Sequence, residues 1–307
     1  QMCIRDSGGS VRAVTGQLLA RERAHGCIFS GLYPFNHAFY RKFGYELAVS
    51  EKTYTLPVRL LKPYAGSMQA RLLQPEDDRS FLKSVFDAFI SRYNLAVACD
   101  EKKLAAWTRS EPYARNEYTY ALYNADAPVA CLHFEKLVRN GEGVLSVKNF
   151  AFTTEEGFRM LLGFLYRFDA EMHTLEIKAP DDIPLAALID TPYEVQCSVG
   201  NPYMLRALNT EEVLKAMRRG DFGRFVIEVA DDFLPDNAGR WLVEPGKAEP
   251  TQLSPDLRMS VQAFSQLVCG YTDLASARFR RDVEILTENP APARAFAKKP
   301  LYVGYYY

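Results

Sequence analysis

Gly8-Gly9-Ser10-Val11-Arg12 stands directly before an apolar pattern of helical spacing. At a helix start the backbone N–H groups and the positive end of the dipole can hold a phosphate, and glycine lets it come close. The spacing leaves two readings open, a phosphate-holding loop or a plain glycine turn. Neither G-x-x-x-x-G-K-[ST] nor G-x-G-x-x-G is complete. His37 is a lone histidine on a short helix and reads as a bystander. Asp181-Asp182 and Asp231-Asp232 read as loop and strand-end surface charges, because a cation site would need further oxygen ligands. Six cysteines lie far apart without a C-x-x-C pair, so they read as reduced and mostly buried thiols. Cys131 and His133 are two apart in a strand-like run, which by itself does not make a metal site. No metal is expected.

The elements that must position these groups follow from periodicity and breakers. Val11, Val14, Leu18 and Leu19 recur at helical spacing and stop at His25-Gly26, where glycine can take a left-handed cap. Cys27–Tyr33 reads as a buried strand closed by Pro34, and His37–Phe43 as a short helix ended by Gly44. Glu51–Leu60 alternates like a strand. Ala70–Leu73 reads as another, and Pro75-Glu76-Asp77-Asp78 suits the start of an amphipathic helix through Phe81, Val85, Phe86 and Phe89. Strands are predicted around Tyr118–Tyr123, Val129–Leu137, Val144–Phe152 and Leu175–Ile177, with a helix opened by Thr153-Thr154-Glu155-Glu156. Beyond Gly200 come a strand at Tyr203–Leu208, a helix opened by Thr210-Glu211-Glu212, strands at Phe222–Val229 and Gly239–Val243, and several helices between Val261 and Glu288. The tail from Lys298-Lys299 to Tyr305-Tyr306-Tyr307 is too aromatic to be solvated, so it is expected to dock.

Composition narrows the function classes. At 307 residues the chain is long enough for two or three domains. A net charge of -1 supplies no basic field for nucleic acid. No run approaches the about 20 apolar residues that span a bilayer, and no leader pattern stands near the start, so a cytoplasmic location without membrane contact is expected.

The order glycine turn, helix, strand, then Leu32-Tyr33-Pro34-Phe35-Asn36 and Phe39-Tyr40-Arg41-Lys42-Phe43-Gly44-Tyr45-Glu46 resembles the second half of the GCN5-related N-acetyltransferase (GNAT) fold. The specific form L-Y-P-F-x-x-x-F-Y-R-x-F-G-Y-E resembles the enhanced-intracellular-survival acetyltransferases. That resemblance implies an α+β chain of three parts. Residues 1–66 would be the C-terminal half of an acetyl-CoA-binding GNAT domain, 67–199 a second GNAT-like domain, and 200–307 a sterol-carrier-like α/β domain. It assigns Gly8, Gly9, Ser10, Val11 and Arg12 to the pyrophosphate of acetyl-CoA. Phe35 and Asn36 fall at a splayed strand end beside the pantetheine arm. Tyr40 matches the general acid and the main-chain carboxylate of Tyr307 the general base. A homo-oligomer, a hexamer by resemblance, and a small-molecule or lysine amine substrate are implied as well.

The chain departs from the pattern in places. Asp6 and Ser7 stand where basic residues are usual, so residues 1–7 read as non-native and the first domain as cut short, which implies an inactive fragment of an active enzyme. The second unit has Phe152-Thr153-Thr154-Glu155-Glu156-Gly157 where a pyrophosphate loop would lie, and its acids imply that it binds no coenzyme A. The competing reading is a non-catalytic carrier whose third domain holds an apolar ligand.

Overall fold

The computed structural model describes residues 9–77, 80–98, 100, 102, 112–218 and 220–304. By contacts the chain divides into two compact units, Gln1–Val49 with Asn201–Lys299 and Ser50–Gly200 with Pro300–Tyr307. Most of the 1–66 and 200–307 segments thus share one unit, and 67–199 lies inside the other.

Along the chain the elements are α1 (Ser10–Ala24), β1 (Phe29–Leu32), α2 (His37–Arg41), β2 (Glu46–Pro57), β3 (Gln69–Leu72), α3 (Ser80–Ile90), β4 (Glu117–Asn124), β5 (Ala127–Arg139) and β6 (Glu142–Phe152). They continue with α4 (Glu155–Tyr166), β7 (Thr174–Pro180), β8 (Gln196–Ala207), α5 (Thr210–Lys215), β9 (Phe225–Ala230), β10 (Gly239–Glu244), β11 (Lys247–Pro250), β12 (Leu257–Ser260), α6 (Val261–Cys269) and β13 (Val283–Ile285).

In the first unit, α1 ends where expected: His25 caps it and Gly26 follows at φ +85, a conformation that favours glycine. β1 runs antiparallel to the end of β8, from Phe29↔Ala207 to Leu32↔Met204. It is half-buried to exposed, not the buried strand its apolar run suggested. A second sheet has the order β11-β10-β9-β12-β13, with β9 and β12 parallel and the other neighbours antiparallel. Its core gathers Phe222, Phe225, Ile227, Trp241, Phe264 and Phe296, under α5 and α6. Part of the stretch expected to be helical, Val283–Ile285, is a strand, and β11 and β12 were not foreseen. Lys247–Pro250 is too polar and too short for alternation to show.

In the second unit the strand order is β3-β4-β5-β6-β7-β2. The parallel pair β6–β7 runs from Val144↔Thr174 to Val147↔Ile177, while β2 is antiparallel to β7 from Glu51↔Pro180 to Pro57↔Thr174. β5 and β6 are joined by Asn140-Gly141, both at positive φ, as a two-residue hairpin turn requires. Leu82, Val85, Phe86 and Phe89 line the buried stripe of α3 at spacings of three, one and three, the signature of an amphipathic helix. The predicted start at Pro75 is instead a turn, with the helix beginning at Ser80. Thr154 caps α4 by accepting from Gly157 N at 3.1 Å, and Glu155 and Glu156 complement its dipole. The described part of the C-terminal tail is docked, with Leu301 and Val303 buried.

Candidate functional site

The chemistry-bearing residues of the first unit converge on the turn that follows α2. Asn36 caps this helix, its Oδ1 accepting from Phe39 N at 3.0 Å, so its side-chain carbonyl has a structural use. Phe35 and Asn36 lie beyond the end of β1, in the loop and cap rather than at the strand end itself. The Phe35 ring is 69% exposed. It nevertheless packs on Phe39 at 5.2 Å and on Tyr40 at 5.3 Å between centroids.

Tyr40 is held on three sides by rings: Phe35, Phe39 at 5.2 Å and Tyr45 at 6.0 Å. Its carbonyl accepts from Phe43 N at 2.9 Å and from Tyr45 N at 3.4 Å, which locks its backbone at the turn. Among the described residues its hydroxyl has no hydrogen-bond partner, and the side chain is half-buried. A fixed ring with an open phenol suits a proton donor waiting for a substrate. Tyr45, by contrast, is buried, with its hydroxyl 2.6 Å from Ser30 Oγ. Burial pushes the Tyr45 phenol up, against the Ser30 hydrogen bond and the Arg206 charge, which pull it down. Two neighbouring tyrosines are thus separated by environment, one enclosed and one open.

The turn depends on a buried cation that the sequence reading passed over. Gly44 sits at φ +82, and Arg206 Nη1 occupies the space that a Cβ there would need. Arg206 is fully buried; it donates to the Phe43 carbonyl and, through Nη2, to Asp231 Oδ2 at 2.5 Å. Asp231 also accepts from the amides of Phe233 (3.0 Å) and Leu234 (2.9 Å) and from Asn237 Nδ2 (3.0 Å). Asp231 is therefore a buried counter-ion, not a surface charge, and only Asp232 fits that description. The missed signal was Arg206 inside Met204-Leu205-Arg206-Ala207-Leu208. A lone cation in an apolar run must have a buried partner. Glu46 is buried too and binds Arg41 at 2.7 Å, and β2 starts there, five residues before the alternation becomes visible.

At the other end of the candidate site, Gly9 caps α1 at φ +84 without a side-chain cap, and among the described residues nothing lies within 4 Å of a Cβ placed on it. The helical ladder opens with Ala13 N donating to Gly9 O, so the Val11 and Arg12 amides have no partner within the helix. Ser10 is exposed, no acid occupies the first turn, and Arg12 lies with its guanidinium carbon 4.9 Å from the Phe233 centroid. These residues fit an anionic group in charge and in access. Gly8 and Tyr307 lie outside the described residues.

In the second unit the equivalent helix start is closed. Thr154 takes the Gly157 amide, two carboxylates stand in the first turn, and a Cβ on Gly157 would press on the Val129 carbonyl. His37, the bystander, meets the Asn201 carbonyl at 3.1 Å. The Asp181-Asp182 pair is again not simply surface charge: Asp181 pairs with Lys52 at 3.2 Å, and burial raises the Asp182 carboxyl despite its hydrogen bond with Tyr93. Cys131 and Cys269 are buried, but Cys27 and Cys197 are exposed, which corrects the expectation of mostly buried thiols; Cys3 and Cys99 lie outside the described residues. Among the described residues no three His, Cys, Asp or Glu side chains group as metal ligands, and no helix is long and apolar enough to cross a membrane.

Comparison with known proteins matches two parts of the chain, both outside residues 9–46, to families. Residues 100–207 match the model of an acetyltransferase (GNAT) domain, and residues 210–303 that of a sterol carrier protein domain. No curated protein matches the chain. Among solved structures, a GCN5-related N-acetyltransferase from Anabaena variabilis superposes with a TM-score of 0.83 at 17% identity, over 97% of this chain and 77% of that one. A probable N-acyltransferase of unknown function from Enterococcus faecalis gives 0.81 at 18%, over 98% and 78%. Eis1 from Mycobacterium abscessus gives 0.78 at 22%, over 98% and 80%. Likeness at such identities establishes the fold and nothing finer. The fold is a mixed α+β one that carries a GNAT acetyltransferase domain and a sterol-carrier-type domain.

Proposed function

We propose that this protein is an N-acetyltransferase of the enhanced-intracellular-survival type, moving an acetyl group from acetyl-CoA directly to a primary amine. The observation that carries this reading is Tyr40: a phenol held by Phe35, Phe39 and Tyr45 with its hydroxyl open. In this reading the α1 start, from Gly8 to Arg12, receives the pyrophosphate, and Phe35 and Asn36 border the pantetheine arm. The amine attacks the thioester carbonyl, forming a C–N bond. As the tetrahedral intermediate collapses and the C–S bond breaks, Tyr40 gives its proton to the departing thiolate.

The main-chain carboxylate of Tyr307 takes the proton from the attacking nitrogen. With an α-carboxyl near about 3.5 and an alkylammonium near about 10, that transfer needs burial to raise the carboxyl. The same negative charge would also attract the cationic amine. The GNAT match on residues 100–207 supports acyl transfer as the chemistry of the family, while the closed start of α4 favours the first unit as the place for acetyl-CoA. A cytoplasmic homo-oligomer, a hexamer by resemblance, acting on polyamines, aminoglycosides or protein lysines belongs to the same proposal.

The test is thiol release from acetyl-CoA across a panel of such amines, measured on this chain and on one extended upstream of Gly8 by its own reading frame. Tyr40→Phe keeps the ring contacts and is expected to lower kcat by roughly 10²–10⁴-fold, the usual share of a proton donor. If no amine raises thiol release above hydrolysis in either chain, or if Tyr40→Phe leaves kcat unchanged, the proposal fails.

A further inference from the structure

Three main-chain carbonyls in the turn that carries Tyr40 are taken by side chains from far along the chain. Gln262 Nε2 donates to the Arg41 carbonyl at 3.2 Å, Arg206 Nη1 to the Phe43 carbonyl, and Gln266 Nε2 to the Leu47 carbonyl at 2.9 Å. These acceptors flank the bonds by which Phe43 N and Tyr45 N close on the Tyr40 carbonyl. Holding residues 41–47 therefore holds the backbone from which the phenol projects. Gln262 and Gln266 are four residues apart on α6, so one helix face presents both amides.

The Gln266 amide is itself oriented. Arg280 Nη1 donates to Gln266 Oε1 at 2.9 Å, and a guanidinium can only donate, so the amide oxygen faces Arg280 and the nitrogen is left for Leu47. Arg280 is fixed in turn by a two-armed contact with Asp282, Nε to Oδ1 at 2.9 Å and Nη2 to Oδ2 at 2.7 Å. Asp282 also accepts from Ser260 Oγ, and Ser260 is the N-cap of α6. A second branch runs from Arg280 Nη1 to Glu46 Oε2 at 3.5 Å, and Glu46 accepts from Arg41 and from Leu47 N. Gln266 and Glu46 are both buried, where polar groups are costly unless bonded, and here each is bonded. All these side chains belong to the unit that holds Tyr40, and Ser260, Gln262, Gln266, Arg280 and Asp282 fall within the stretch matched by the sterol carrier model.

We propose that this stretch of the sterol-carrier-type domain is the seat of the acyl-transfer turn, and that Gln266 and Arg280 are positioning residues, acting in series, that hold Tyr40 for proton transfer. The positioning role rests on the function proposed above; the seat does not. Both are tested with Gln266→Met and Arg280→Met, which keep apolar length and remove the bonds, and with the two combined. Hydrogen exchange is followed by mass spectrometry in a peptide covering 39–47, with β9 and β10 peptides as the control for folding. Turnover is followed alongside, in the chain that the amine panel shows to be active.

Each single variant is expected to speed exchange in the turn peptide by about tenfold or more with the controls unchanged. Each should also lower kcat by about tenfold or more with the acetyl-CoA KM within about twofold, the pattern of a displaced proton donor rather than of lost binding. Because the two act in series, the double variant should fall within about twofold of the worse single one; effects that multiply would overturn the link from Arg280 through Gln266. If the control peptides also speed up, Arg280→Lys, which keeps the charge without the two-armed geometry, replaces Arg280→Met. Unchanged exchange in the turn peptide overturns the seat, and this arm needs no turnover. If exchange speeds up at unchanged kcat while Tyr40→Phe is impaired, the positioning role is wrong and the proposed function stands. If Tyr40→Phe is as active as the parent chain, the proposed function is wrong and the positioning role falls with it, while exchange still decides the seat.

Discussion

Replacing Gly44 by alanine combines two separable costs at one methyl group. The first is backbone: at φ +82 a residue with a Cβ is strained by roughly 1–2 kcal/mol. The second is displacement, because the new Cβ falls on the Arg206 guanidinium, which must leave Asp231. Both partners are fully buried, and breaking such a pair costs about 3–5 kcal/mol by leaving an uncompensated charge. The sum, about 4–7 kcal/mol, is comparable with the whole stability of a typical domain. Gly26→Ala supplies the control, since its φ is +85 but a Cβ there meets nothing within 4 Å. The two variants therefore share the first cost and differ in the second. Urea unfolding followed by Trp241 fluorescence in a Trp107→Phe background reports on the unit that contains the pair. For a urea dependence of about 2 kcal/mol per molar, Gly44→Ala should unfold about 2 M earlier than Gly26→Ala. A difference below about 1 kcal/mol between them would refute the claim that the glycine exists to seat Arg206.

Two further outcomes follow from buried titratable groups. His133, whose Nδ1 lies 2.9 Å from Thr119 Oγ1, has its pKa lowered by burial to about 4, so the folded state resists its protonation. With an unfolded value near about 6.5, its contribution is complete above that pH and is lost as pH falls toward 4, up to about 3 kcal/mol; His133→Gln should flatten that part of the urea-midpoint profile, and an unaltered profile would sink the assignment. Brief iodoacetamide treatment with peptide mapping should label exposed Cys27 and Cys197 and spare Cys131 and Cys269, whose thiol in the latter case is pushed up to about 11 by burial; early labelling of Cys269 would contradict its placement.

What could be read in the sequence, and what could not, follows from the range of the interactions involved. α3 and α4 announce themselves through apolar residues spaced along one face, and the Thr154 cap with its two acids is entirely local. The F-Y-R-x-F-G-Y turn is also local, so Tyr40 and its neighbouring rings could be singled out before any tertiary contact was known. The reason for its glycine could not. Gly44 is made necessary by Arg206 and stabilised through Asp231, residues more than 160 positions away, and the Asp231-Asp232 dipeptide looks the same whether its first carboxylate is solvated or enclosed. The two helix starts make the complementary point. Those of α1 and α4 both follow a loop and contain glycine, yet the Val11 and Arg12 amides of one have no partner within the helix, while Thr154 takes the Gly157 amide of the other. The acids at Glu155 and Glu156 could be read in advance as repelling a phosphate. That Gly157 is there to clear the Val129 carbonyl, rather than to admit a ligand, required the sheet beneath it. A glycine at a helix start therefore becomes evidence for anion binding only where the space above it is open, as it is among the described residues at Gly9 and is not at Gly157.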